Sequence, residues 1–242
     1  MRIIPLDTET TGLEEGKKSI VELGLIIADF NENSLDMIGD EPEIMQDRFK
    51  PREKISFASM GVHHITEEDV ADCDDISERA PKLIEILNTA HYLLGHNLMF
   101  DMEVIEREIF NGPCEIKKID TLRLAKHAWD LPEYKLASLR YRFSLPVLKE
   151  GVQHSAAFDA YLTLGLTLEA AHKLGIETWD ELYEKAKSPI IIKKMSFGKH
   201  RGEVVADAFE QDKGYFRWLW KQDFAHVEYP DLMYTLKKLG QR

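Results

Sequence analysis

A chain of 242 residues, 44% apolar and 31% charged, can bury a sizeable core, enough for one domain of about 180 residues with a small appendage. No apolar run approaches the roughly 20 residues of a membrane span, and the opening Met1–Asp7 is too short and too soon acidic for a secretory signal. Cys73 and Cys114 lie far apart and form neither a disulfide framework nor a zinc pattern, so a cytoplasmic protein with no membrane association is expected. The net charge of −12 excludes a protein that coats nucleic acid through its overall field. That charge is uneven: residues 189–242 hold 10 Lys and Arg against 7 Asp and Glu, leaving 21 against 36 in residues 1–188.

In chain order, Arg2–Leu6 and the β-branched run Ile20–Phe30 read as strands separated by a Thr/Gly turn, and Ile44–Phe49 as a third strand. Thr66, followed by Glu67, Glu68 and Asp69, predicts a helix start, and a helix is expected over Ile76–Ala90. His91–Gly95 reads as a short strand, after which Met99–Phe110 has helical spacing and stops at Asn111-Gly112-Pro113. Helical patterns return at Thr121–Trp129, Lys135–Phe143 and His154–Lys173, the last with Leu162, Leu166 and Ala170 on one stripe. The composition then shifts, which predicts a first domain over 1–175, a charged linker over 176–189 and a small α+β module over 190–242. No repeat or low-complexity tract is present.

Three segments carry candidate chemistry. Asp7 and Glu9 are two residues apart at the end of the first strand, where alternation turns both side chains to one face. By chance alone a chain this acidic contains about eight such pairs, so the weight comes from position: strand end, then the turn Thr10-Thr11-Gly12. Asp101 repeats the pattern, delivered by the strand that runs into Asn97 and the next helix; taken alone, it is equally an N-cap. His154 and Asp159, five apart at the start of a long helix with Ala156 and Ala157 between them, can share one site. Four converging carboxylates repel unless divalent cations neutralise them, and all-oxygen ligation selects Mg²⁺ or Mn²⁺. Two such ions suit phosphodiester cleavage, with a histidine of unperturbed pKa about 6.5 taking the proton of the attacking water.

These residues resemble the DEDDh exonucleases, the superfamily of polymerase proofreading subunits and ribonuclease T. The matching strings are D-T-E-T-T-G at Asp7–Gly12, N-x-x-F-D at Asn97–Asp101 and H-x-A-x-x-D-A at His154–Ala160, with weaker likeness at Val62–Thr66 and Ile119–Ala125. The resemblance covers residues 1 to about 173 and implies a ribonuclease H-like α/β fold, a mixed five-stranded sheet flanked by helices. It implies that Asp7, Glu9, Asp101 and Asp159 hold two Mg²⁺ or Mn²⁺ ions and that His154 is the general base. It further implies that Thr10, Thr11, Gly12, Leu13, Asn97, Phe100 and His63 lie against the terminal nucleotide. F-G-K-H-R-G at Phe197–Gly202 and the aromatic stretch Tyr215–Trp220 resemble the carboxyl-terminal module of the exodeoxyribonuclease X subfamily, which implies DNA as substrate. Lys193, Lys194, Lys199 and Arg201, with Tyr215, Trp218 and Trp220 as stacking surfaces, suit single strands.

The expected activity is therefore stepwise 3′→5′ hydrolysis of DNA to nucleoside 5′-monophosphates, acting on single-stranded 3′ ends, with a polymerase or repair protein as a further partner. An RNA-trimming exonuclease and a non-catalytic nucleic-acid-binding accessory protein are the alternatives. Pro5 departs from the pattern: inside a central strand it predicts a bulge or an unpaired amide.

Overall fold

The computed structural model describes residues 1–148 and 155–240, which form two compact units, Met1–Lys187 and Ser188–Arg242. The first unit is built on a five-stranded sheet of order β3-β2-β1-β4-β5. Strands β1 (Arg2–Thr10), β2 (Ile20–Phe30) and β3 (Met37–Arg48) pair antiparallel, while β4 (Tyr92–Gly95) and β5 (Lys117–Asp120) join β1 in parallel. The pleat sorts the side chains. Ile4, Leu6, Leu23 and Leu25 face one core with α2 (Ile76–Leu87) and α3 (Met99–Ile105), the latter continued by a π-helical turn over Glu106–Phe110. Ile3, Ile26 and Ala28 face a second core beneath α6 (Ala156–Leu174). Helix α1 (Phe57–His63) precedes α2, and α4 (Thr121–Ala128) and α5 (Leu136–Phe143) pack against α6.

Several expectations are sharpened. β1 runs through Asp7 and Glu9 to Thr10 rather than stopping at Leu6, because Thr8 and Thr10 are buried and keep the strand inside the sheet. Pro5 causes no bulge. Pairing on the β2 side skips Ile4 and Pro5 and resumes at Leu6↔Leu25 in the same register, while Pro5 stays aligned with Leu94 of β4; the slip lies at Glu9/Thr10. The segment from Thr66 forms turns, not a helix: Asp69 accepts from both the main-chain N–H and the hydroxyl of Thr66, closing a local loop.

The linker expected over 176–189 is corrected. Trp179–Lys187 is a helix, α7, whose Trp179 is fully buried and meets Phe30 edge-on with ring centroids 4.8 Å apart. Charged residues on the outer face disguise an amphipathic helix as a spacer.

The second unit has α8 (Val205–Gln211), α9 (Lys213–Trp220), α10 (Asp223–Glu228) and α11 (Pro230–Gly240) around Phe216, Leu219, Leu232 and Leu236. Its β content among the described residues is one antiparallel bridge, Lys194↔Val204. Two of the features assigned to DNA are internal fastenings. Lys199 pairs with Asp212 at 2.6 Å, and the Tyr215 hydroxyl lies so close to Gly198 (φ +70°) that any Cβ there would collide with it.

Removing the indole that seals α7 onto the sheet should be costly. Trp179→Ala is expected to destabilise the first unit by about 3–5 kcal/mol in denaturant unfolding, and a loss below about 1 kcal/mol would return this segment to the role of linker.

Candidate active site

Asp7 and Glu9 leave β1 on the face that carries Ile3, which is the face covered by α6. The helix brings Asp159, in its first turn, to the same place. Asp7, Glu9 and Asp159 each offer a carboxylate oxygen, and these atoms lie within 4.8 Å of one another. Burial, reinforced by Asp101, Asp159, Glu9 and Glu22, pushes Asp7 well above the usual carboxylate range. Burial together with Asp159, Glu22 and Asp101 pushes Glu9 up to about 8. The charges that act on these two acids are themselves acids.

Asp101, buried in α3, is not one of the three oxygens that meet. One of its oxygens is taken by Thr8, whose main-chain N–H and hydroxyl both donate to it, at 2.9 and 2.6 Å. Burial raises it to about 7 against those two bonds and the pull of Lys18. Lys18 is itself committed to Glu103 at 2.6 Å, and its ammonium lies 3.3 Å from the centroid of the Phe100 ring. His154 lies outside the described residues.

A cavity of about 800 Å³ opens beside Glu9, lined by Thr8, Thr10, Thr11, Gly12, Leu13, Lys18, His63 and Phe100, among others. Its size fits a nucleotide-sized ligand. The turn that forms one wall is held by paired bonds, Thr11 N–H to the Ser19 carbonyl at 3.0 Å and Ser19 N–H to the Thr11 hydroxyl at 2.9 Å. Thr10 donates its hydroxyl to the Gly12 carbonyl. Leu13 is 83% exposed at the rim, an apolar side chain with no core to serve. His63 is buried at the end of α1; its Nδ1 accepts from Ile65 N–H, so Nε2 carries the proton. That Nε2 is turned towards the Thr10 main chain but makes no hydrogen bond of acceptable geometry. Burial lowers the ring's pKa.

Asn97 does not line this cavity. It sits exposed in the left-handed region (φ +66°) at the β4–α3 turn, its N–H donating to Asp120, which is a turn role. Two further residues belong to the site without having been singled out for a role in it. Thr8 is the spacer of Asp-x-Glu, and a spacer in a strand points to the opposite face, where it can meet what packs there. Glu22 is an acid with 0% exposure inside the apolar run I-V-E-L-G, and that incongruity is its signal in the sequence.

Residues 4–167 match the RNase T exonuclease family. The chain belongs to this exonuclease family. Over 240 residues it is 31% identical to exodeoxyribonuclease 10 of Escherichia coli K12, spanning 98% of this chain and 97% of that one. It is 30% identical over 193 residues to the PolC-type DNA polymerase III of Thermotoga maritima, a likeness that covers 77% of this chain and 13% of the polymerase. Exonuclease X, solved in complex with 5′-overhanging duplex DNA, matches with a TM-score of 0.58 at 26% identity over 76% of this chain and 98% of that one. Escherichia coli exonuclease I with a dA16 oligonucleotide shares the fold, with a TM-score of 0.56 at 20% identity over 76% of this chain and 42% of that one. The site of this exonuclease domain fits a hard divalent cation, since its donors are all oxygens and the burial and acid crowding that raise the proton affinities of Asp7 and Glu9 would be relieved by a positive ion.

The raised carboxyls set a pH dependence. Between the ordinary glutamate value of 4.5 and about 8, the folded chain keeps a proton on Glu9 that the unfolded chain has released. This contribution to stability is full below 4.5 and lost as pH rises through 8. A divalent cation competes with the same proton. Mn²⁺ uptake should therefore release protons near neutral pH and tighten as pH approaches 8, and titration calorimetry in two buffers of different ionisation enthalpy measures it. Binding heats independent of the buffer would contradict a protonated Glu9 in the metal-free chain.

Proposed function

We propose that this chain is a two-metal 3′→5′ exodeoxyribonuclease that releases nucleoside 5′-monophosphates from DNA ends. The observation that carries the reading is the meeting of Asp7, Glu9 and Asp159 beside a nucleotide-sized cavity with an exposed apolar rim. DNA is favoured because the relative matched over 97% of its own length is an exodeoxyribonuclease, and exonuclease X was solved on DNA with a 5′ overhang, which presents a recessed 3′ end. Both single-stranded and recessed 3′ ends are accordingly candidate substrates.

Asp7, Glu9, Asp101 and Asp159 would hold two Mg²⁺ or Mn²⁺ ions, which when bound supply charge neutralisation and Lewis acidity at the phosphate. Thr8 fixes the orientation of Asp101 through its two bonds. Leu13 and Phe100 offer apolar surface to the terminal base and sugar, a sequence-tolerant contact. His63, whose buried Nε2–H faces the Thr10 main chain, backs the turn against which the nucleotide would lie. His154 takes a proton from water as the water oxygen bonds to phosphorus; the bond to the 3′ oxygen of the preceding nucleotide breaks, and that oxygen gains a proton as the new 3′-hydroxyl.

The test uses matched 5′-labelled DNA and RNA oligonucleotides with Mg²⁺. A ladder of shortened DNA is expected, abolished by EDTA and by Asp159→Ala. Degradation that persists in either condition would defeat the metal mechanism, and RNA consumed ahead of DNA would reassign the substrate. His154→Ala should leave Mn²⁺ binding intact while lowering turnover by about 10²–10⁴-fold; wild-type rates would remove it from the base role.

A further inference from the structure

We propose that Glu22 is a positioning residue, the anchor that sets the start of α6, and with it Asp159, against Asp7 and Glu9. Glu22 is fully buried and lies in register opposite Glu9 on the neighbouring strand. Two acids facing each other across an antiparallel pair oppose folding when both are ionised, so an acid here requires compensation and a reason. The compensation comes from β3: Arg48, in register on the other side, donates its Nε at 2.9 Å to one oxygen, and Gln46 donates at 3.2 Å to the same oxygen. The other oxygen accepts, among the described residues, from the main-chain N–H of Ala156 at 3.0 Å.

Ala156 is the first residue of α6, one of the positions whose N–H has no partner within the helix. Its N-cap, Ser155, makes no side-chain capping bond. Glu22 therefore caps the helix from another strand, 134 residues away in sequence. Gly24, the next residue on the same face of β2 and in register with Asp7, makes the approach feasible: a Cβ there would lie 2.1 Å from the Ala157 nitrogen and 2.2 Å from the Ala156 carbonyl carbon. The helix backbone is thus seated on β2 by one bond and one absent side chain, both beside the strand that bears Asp7 and Glu9. Asp159 follows within the same first turn, so its distance to the other two carboxylates is set by this seat.

The inference rests on the metal-binding reading above, and Mn²⁺ alone is the probe. In the full chain, Glu22→Ala should weaken Mn²⁺ binding by about 10–100-fold by titration calorimetry at a temperature where the variant is folded. Glu22→Gln, whose amide oxygen still accepts the Ala156 N–H although its NH2 loses the bonds from Arg48 and Gln46, should bind Mn²⁺ clearly more tightly than Glu22→Ala. Glu22→Leu, an apolar replacement of similar bulk, takes the place of the alanine variant should the cavity unfold it. A folded Glu22→Ala or Glu22→Leu chain with wild-type Mn²⁺ affinity overturns the proposal, whatever its melting temperature. Equal impairment of Glu22→Gln and Glu22→Ala also overturns it, because charge rather than anchoring would then be the contribution. A wild-type chain that takes up no Mn²⁺ removes the metal reading itself, a failure distinct from both.

Discussion

Mutual repulsion among Asp7, Glu9 and Asp159 is the constraint to which the rest of the first unit answers. Three carboxylates with oxygens within 4.8 Å of one another, two of them pushed towards the protonated form by burial and by neighbouring acids, are unfavourable in any isolated arrangement. No single flexible segment would hold them there. The chain does so by taking them from elements fixed for other reasons: a central strand paired on both sides, and a long helix whose buried stripe includes Ala160, Leu162, Leu166 and Ala170. Core burial thus offsets electrostatic strain at the site, and the raised proton affinities are the visible residue of that strain.

The surrounding polar groups keep the strain local. Lys18 is spent on Glu103 and the Phe100 ring, Arg48 on Glu22, and Thr8 on Asp101. Each of these donors is engaged with a partner one step away from the cluster, so none of them quenches the charge of Asp7 or Glu9. The pattern separates the acids by role. Glu22 and Glu103 are held by cations of the protein, whereas the proton affinities of Asp7 and Glu9 are raised, and acids of this second kind are the ones that gain most from a divalent ion.

How much of this was legible in the sequence depends on the range of the interaction concerned. β2 is readable residue for residue because Ile20–Phe30 is an apolar run decided by local composition. α6 is readable because its stripe repeats at helical spacing, and the acids are readable because their strings are short and ordered along the chain. β3 shows only its apolar half, since Met37–Glu43 is polar and enters the sheet by pairing with β2, a non-local condition. α7 is hidden for the converse reason: Trp179 looks like one aromatic in a charged stretch until Phe30, 149 positions earlier, is known to face it. Thr8 and Glu22 matter only through partners 93 and 134 residues away. Spacing motifs report which side chains share a face; they are silent about what arrives on it.

The second unit shows the same limit from the side of charge. Counting Lys199 and Tyr215 as a basic and aromatic surface treats composition as if every charge were available. In the structure, Asp212 accepts from Lys199 and from Tyr215 N–H, and His200 bridges Glu203 and Asp212 while stacking on Phe216. The F-G-K-H-R-G string is thus a polar clasp on the start of α9, and its glycines serve backbone geometry, with φ of +70° at Gly198 and +88° at Gly202. Trp218 and Trp220, on the far turn of α9, and Phe224 in α10 are aromatics of this unit that do face solvent. Lys199 and Tyr215, which looked like part of a phosphate and base grip, are thus engaged in holding the module's own fold together.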